Sequence, residues 1–366
     1  MNKLQYKVGE HPNLPAPKTQ GGIFKAIRNN LFSTWYDSIV TIILIYLLLS
    51  YLPMALDWLF FSADFFVDKR SQCTSGGACW GVITARFPQY LYGFYPPELY
   101  WRPNLASLLL LVALAPILYS KILYRKYFLM FSITYPLIAF WLLWGGFGLA
   151  PVESEKMGGL LLTLTLGVMG IALSLPIGIL LALGRRSKMP AIRLFSTIFI
   201  ELIRGVPMIT LLFMATVLLP LFLPSDVIID QLIRVIFIIV IFASAYMAEV
   251  IRGGLQSIRK GQYEASDVMG LSYWQSMSLI ILPQALKISI PGIVNSFISL
   301  FKDTTLVIIV GMFDLLGVGR AALSNREWIG LANEVYMFIA VVFFVFCYLM
   351  SRYSLHLERR LSRSYK

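Results

Sequence analysis

Gly261-Gln262-Tyr263-Glu264-Ala265-Ser266-Asp267-Val268-Met269-Gly270, followed after nine residues by Ile280-Ile281-Leu282-Pro283, is a polar stretch set between two long apolar runs, 233–250 and 289–310. Gly261 can open a short helix, and Glu264 and Asp267 favour its early turns by facing the positive end of the helix dipole. Ala265 and Ser266 offer small side chains that another protein could approach closely, and Gly270 turns the chain. A short helix between two membrane-crossing runs can act as a lever on both. An ordinary amphipathic loop helix fits the same residues.

Outward from this stretch, the chain is built for lipid. It has 366 residues, 58% hydrophobic and 14% charged, against about 25% charged in soluble domains. Mean hydropathy is +0.73. These values describe an all-α polytopic membrane protein. The net charge of +12 fits either a nucleic-acid binder or a membrane protein with basic cytoplasmic loops. Because the cations sit between apolar runs, the second reading holds and no nucleic acid is expected. The opening residues are polar and proline-bearing and predict no cleavable signal.

About 20 helical residues cross the roughly 30 Å of hydrocarbon. Runs of that kind lie near 38–60, 105–120, 127–150, 158–183, 206–223, 233–250, 289–310 and 336–354, which predicts about eight transmembrane helices. Basic residues mark the cytoplasmic segments. Lys3, Lys7, Lys18, Lys25 and Arg28 precede the first run. Lys121, Arg125 and Lys126 follow the second, and Arg185, Arg186, Lys188 and Arg193 the fourth. Arg252, Arg259, Lys260 and Lys287 follow the sixth, and Arg352, Arg359, Arg360, Arg363 and Lys366 end the chain. Segments 151–157 and 224–231 carry Glu153, Glu155, Asp226 and Asp230 with one lysine between them. Eight spans with both termini cytoplasmic satisfy every loop.

The long outer loop, 61–101, contains Cys73 and Cys79, close enough to pair in an oxidising compartment. Either a disulfide or free thiols fit. A metal is not expected there, because no His or further Cys completes a ligand set. His11 and His356 lie in the tails, away from any intramembrane dyad, and the chain has no phosphate-cradling loop of the G-x-x-x-x-G-K-[ST] kind. Catalytic residues are therefore not expected. Gly167, Gly170 and Gly178 fall near one helical face and predict close helix packing.

The spacing Glu-Ala-Ser, three residues, Gly270, nine residues, Ile-x-Leu-Pro resembles the E-A-A loop of ABC importer permeases, with Ser266 in place of the second alanine. Tyr246-Met-Ala-Glu249-Val-Ile-Arg252-Gly253-Gly254 before it is similar to the polar amino-acid subfamily. So are Leu282-Pro283-Gln284-Ala285, Pro291, Asn295 and Lys302-Asp303-Thr304-Thr305-Leu306-Val307 after it. Added N-terminal spans, the cysteine-bearing loop and Leu181-Ala-Leu-Gly-Arg-Arg-Ser resemble the M-type permease of the general L-amino-acid transport system. The resemblance implies a cytoplasmic tail over 1–37, three additional spans over 38–150, and a five-helix type I importer core over 158–366 with its coupling loop at 252–288. It further implies a bacterial inner-membrane protein paired with a homologous permease, two ATP-binding subunits and a periplasmic amino-acid-binding protein. This chain would bind no cofactor, ATP and Mg belonging to the ATPases. Tyr263, Glu264, Ala265, Ser266, Asp267, Gly270 and Leu271 would then couple to the ATPase.

Asn295, Ser299, Lys302 and Asp303 recur at i, i+4, i+7 and i+8, one side of a helix. Counted from Ser289 at 1.5 Å per residue, Lys302 and Asp303 lie roughly 20 Å along, near the bilayer midplane, where ionisable groups are costly and mark function. A zwitterionic L-amino acid needs both charge signs. Mutual neutralisation of Lys302 and Asp303 is the alternative. Thr305, in the same motif, joins the pathway set by resemblance. Glu249 stands three residues before Arg252, and the same string recurs as Glu201-Leu-Ile-Arg204-Gly205. Both copies are expected at the cytoplasmic interface, with Glu249 either in an intrahelical pair with Arg252 or contacting solute. The competing function is an ion-coupled secondary amino-acid transporter, but no convincing inverted repeat accompanies it.

Overall fold

The computed structural model describes residues 23–119, 123–224 and 226–362. Lys3, Lys7, His11, Lys18, Lys121, Arg363 and Lys366 lie outside the described residues. Two compact units emerge, one of residues up to 65 together with 73–79, the other of 66–72 and everything from 80 onward.

The first unit holds α1 (Ile23–Leu31) and α2 (Trp35–Leu56), the latter extended by a π-helical turn, Asp57–Phe61. Thr34 caps α2 by accepting from the Asp37 N–H at 3.3 Å. Cys73 and Cys79 are disulfide-bonded, and Ser75 bonds to Ser62 O and Asp64, closing a small loop.

In the second unit the long segment before the next span folds into α3 (Gly81–Thr84) and α4 (Phe87–Tyr92), followed by α5 (Trp101–Leu118) and α6 (Arg125–Trp144). The third apolar run reads on to 150, but α6 stops at Trp144 because Gly145 and Gly146 adopt φ of 92° and 91°. α5 and α6 pack on each other and α6 packs on α7 (Gly159–Arg185), so these two spans belong with the C-terminal core. α8 (Pro190–Gly205), α9 (Met208–Phe213), a π turn (Met214–Leu218) and α10 (Leu219–Phe222) follow. The span expected over 206–223 is present as Met208–Phe222, but it does not stand alone. Residues 190–205 are helical too, and they meet 208–222 at 100°, because Pro207 lacks the N–H that would continue the ladder.

α11 (Gln231–Ser257) is capped by Asp230. After it come α12 (Lys260–Val268), α13 (Tyr273–Ser276), a π turn (Met277–Ile281), α14 (Leu282–Asp303) and a 3-10 segment, Thr304–Val310. α15 (Leu315–Leu323) and α16 (Ala332–Ser362) close the chain. Among the described residues seven helical segments are long and apolar enough to cross a membrane, and the bent pair makes eight. The helix expected to begin at Ser289 begins in fact at Tyr273, since Ser272 and Gln275 form a capping box and the π turn carries the helix into α14.

Packing of α7 on α11 and of α11 on α14 forms the centre of the bundle. Gly170 faces Ile239 and Gly178 faces Met247, an equal advance that makes α7 and α11 parallel. Gly254 meets Ser289 while Gly292 meets Val250, so α14 runs back. A Cβ on Gly178 would fall 2.7 Å from Met247 Cβ and 3.2 Å from Ala248 N. Gly178→Leu is therefore expected to lower the thermal midpoint of the purified protein, at a cost of about 1–3 kcal/mol or more. Gly253→Ala, with nothing within 4 Å of its Cβ, should leave the midpoint unchanged or raise it. An unchanged midpoint in Gly178→Leu would overturn this packing.

Candidate functional site

Three features converge along α11. At its C-terminal end sits α12, two turns before that end an ion cluster, and beside its middle a cavity shared with α14.

α12 is exposed on one side and fastened on the other. Glu264, Ala265, Asp267 and Gly270 face solvent, as do Val268 and Met269, 87% and 76% exposed. Ser266 is 1% exposed, which corrects the expectation that it shares the docking surface with Ala265. Its hydroxyl sits 2.7 Å from Ser276 Oγ and donates to Tyr263 O at 2.7 Å. A hydroxyl at that position serves the seam between α12 and α13, where alanine would leave Ser276 without this partner. Tyr263 donates to Leu255 O at 3.2 Å and accepts from Arg186, whose guanidinium lies 5.5 Å over its ring. Gln284 donates to Gln262 at 2.9 Å. α12 is thus tied to α11, to the segment after α7 and to α14. It ends in a Schellman motif: Leu271 N–H bonds Ser266 O at 3.2 Å, Gly270 N–H bonds Asp267 O at 3.0 Å, and Gly270 has φ of 69°. The connection between α11 and α13 spans only 258–272, shorter than the 252–288 expected.

The ion cluster joins α7, α8 and α11. Glu249 Oε2 accepts from Arg252 Nε at 2.9 Å and Arg185 Nη1 at 3.2 Å, and lies 3.8 Å from Arg204 Nη1. Arg252 Nη2 also binds Glu249 Oε1. Arg185 Nη2 reaches Glu201 at 2.7 Å. The pairing of Glu249 with Arg252 is present and is extended by two cations from other helices. α11 continues to Ser257, so Glu249 lies about two turns before the C-terminal end of its helix. Glu201-Leu-Ile-Arg204-Gly205 belongs to α8.

The cavity has a volume of about 280 Å³ and is lined by Phe242, Ala243, Tyr246 and Met247 of α11 and Asn295, Ser296, Phe297, Ser299, Leu300 and Asp303 of α14. That size is near the lower end, roughly 300 Å³, of small-molecule sites. Asn295, Ser299 and Asp303 are brought together as expected of one helical side. Lys302 is exposed and does not line the cavity. The lining side of α14 centres on Ser299 and Asp303, and Lys302 falls about a quarter turn from that centre at 3.6 residues per turn. Thr305 lies in the 3-10 segment and donates to Lys302 O at 2.9 Å, and Glu249 is held in the ion cluster, so neither lines the cavity. Counted from Tyr273, Asp303 stands about 45 Å along, at the far end of its helix, which replaces the midplane estimate.

A family model described as the binding-protein-dependent transport system inner membrane component matches residues 174–363. The chain belongs to this family. It is the membrane-spanning permease of an ABC importer, a five-helix core preceded by three further spans. Permeases of this family work with ATPase and binding-protein partners. One relative, the inner membrane amino-acid ABC transporter permease protein YhdY of Escherichia coli (strain K12), is 49% identical over 352 residues, 96% of either chain. A second, the glutamate/glutamine/aspartate/asparagine transport system permease protein BztC of Rhodobacter capsulatus, is 41% identical over 421 residues, again 96% of each. A crystal structure of an amino acid ABC transporter with histidines matches 55% of this permease and 92% of that chain, with 31% identity and a TM-score of 0.49. The ion-coupled carrier finds no support in these matches.

Among the functional residues, Arg185 and Arg204 escaped the sequence reading as site residues. The repeated Glu-x-Ile-Arg-Gly string was the available signal, since two copies with both charge signs predict mutual pairing once their helices meet.

Proposed function

We propose that this permease forms half of an alternating-access pathway for L-amino acids in a bacterial inner membrane, both termini cytoplasmic. It pairs with a homologous permease, two ATPases carrying ATP and Mg, and a periplasmic amino-acid-binding protein. The observation that carries this reading is α12: one face is bare, while the other is bonded to α11, α14 and the segment after α7. A helix so fastened transmits a push from an ATPase groove to three membrane elements at once. Glu264, Ala265, Asp267 and Gly270 meet the ATPase, with Tyr263, Ser266 and Leu271 holding the lever's shape from behind.

The solute passes the cavity between α11 and α14. None of the hydrogen bonds or ion pairs among the described residues engages the side chains of Asn295, Ser299 or Asp303, so their polar atoms remain available to a ligand. Asp303 also sits at the C-terminal end of α14, where the helix dipole opposes an anion. A substrate ammonium offsets that cost. The names of both relatives point to amino acids as the cargo.

Uptake by proteoliposomes containing the intact transporter tests the reading. ATP is expected to drive it, and a proton or sodium gradient acting on this chain alone would refute it. Asp303→Lys should cut uptake by about tenfold or more, the equivalent of at least 1.4 kcal/mol. The exposed Asp68→Lys should change uptake less than about twofold, within the range of an ordinary surface substitution. Equal effects would remove the cavity from the pathway.

A further inference from the structure

The ion cluster contains three guanidiniums, Arg185, Arg204 and Arg252, against two carboxylates, Glu201 and Glu249. One positive charge is left over, and geometry locates it. Arg185 is held at 2.7 and 3.2 Å and Arg252 by both Glu249 oxygens. Arg204 reaches Glu249 only at 3.8 Å, and its buried Nε has no hydrogen-bond partner among the described residues. Its guanidinium lies instead 5.5 Å over the ring of Tyr246, which lines the cavity. Tyr246 is 15 residues beyond Gln231 in α11, about 22 Å along the helix, so this under-satisfied cation, its side chain 32% exposed, sits against the membrane-crossing bundle short of the end of α11. A charge held there with weak compensation is costly and calls for a ligand.

We propose that Arg204 receives the α-carboxylate of the transported amino acid, a role that rests on the cavity being the solute's path. The planar guanidinium can offer a carboxylate two parallel N–H donors, and Tyr246 supports its face. Asp303 lines the cavity from the opposite helix, while Arg204 adjoins it behind Tyr246 and reaches a carboxylate seated at that end. Lys302, the only other cation near this end of α14 in sequence, is turned away. Phe242, Met247, Phe297 and Asn295 line the rest of the cavity and face the substrate side chain, which projects away from the two charged groups.

The test uses the intact solubilised transporter and radiolabelled L-glutamine, displaced either by L-glutamine or by its α-carboxamide, in which a neutral amide replaces the carboxylate. Wild type is expected to prefer the carboxylate form by tenfold or more. Arg204→Gln should weaken L-glutamine to the level of the amide and leave the amide unchanged, which also shows that the variant is folded. Arg204→Lys should keep part of the preference. If the preference survives intact in Arg204→Gln while Asp303→Asn still weakens binding, the Arg204 assignment falls and the cavity stands. Loss of both ligands together in Arg204→Gln, with equal recovery of both in Arg204→Lys, makes Arg204 structural and overturns the assignment. No binding to wild type, or binding indifferent to both Arg204→Gln and Asp303→Asn, overturns the assignment and the pathway together.

Discussion

Gly270→Val is expected to abolish at least nine-tenths of ATP-driven uptake while the transporter still assembles in the membrane and hydrolyses ATP. Gly270 has φ of 69°, and nothing lies within 4 Å of the position a Cβ would take. The substitution therefore meets no clash, and its whole effect comes through the backbone. A β-branched residue in the left-handed region costs about 1–3 kcal/mol, enough to unwind the Schellman turn that ends α12. Val268 and Met269 would then leave the exposed face on which they stand, and the hydrogen bonds of Leu271 and Gly270 to the last turn of α12 would be lost. Gly270→Asn offers a sharp control, because asparagine tolerates this region, and it should keep most of the uptake. Paired assays of uptake and ATPase rate on the two variants decide the matter. Full uptake by the valine variant would mean that the shape of α12 is not what transmits the stroke.

α12 was legible in the sequence because everything that defines it is local: a glycine at φ above zero, acids in the early turns, and small residues at fixed spacing. Span count was nearly legible for the same reason, since hydropathy is a windowed property. The bend between α8 and α9 was hidden by that very averaging, which reads 206–223 as one run and passes over Pro207. The start of the long helix that runs from α13 into α14 was hidden by Ser272, Gln275 and Gln284, polar residues that resemble a loop and in fact cap or brace the helix. Asn295, Ser299 and Asp303 could be grouped by period alone. Excluding Lys302 needed the position of α11, which no period supplies. Ser266 looked like a neutral exchange for alanine, and its bond to Ser276 depends on α13 folding back beneath α12. The ion cluster draws on residues up to 67 positions apart, from Arg185 to Arg252, and only the repeated string hinted at it.

Glu249→Gln carries the largest expected cost to stability. Glu249 is the common partner of three guanidiniums, with its side chain 25% exposed. Removing its charge leaves Arg185, Arg204 and Arg252 with Glu201 alone, and the cluster's net charge rises from +1 to +2. Breaking a buried pair by removing one partner costs about 3–5 kcal/mol, and the partial exposure here brings the expectation to about 2–4 kcal/mol. Glu201 is 54% exposed and paired with Arg185, so Glu201→Gln should cost less than about 1 kcal/mol. Thermal unfolding of the purified permease should separate the two variants by several degrees, and equal midpoints would show that Glu249 does not organise the cluster. Adding Arg252→Gln to Glu249→Gln restores the +1 balance and should recover part of the loss, as expected when repulsion and not lost packing is the cause. The same variant separates the cluster's two roles. Arg204 keeps its charge and its place over Tyr246 in Glu249→Gln, so whatever folded transporter remains should still prefer L-glutamine to its carboxamide, and should do so more strongly, because the carboxylate competing for that guanidinium has gone.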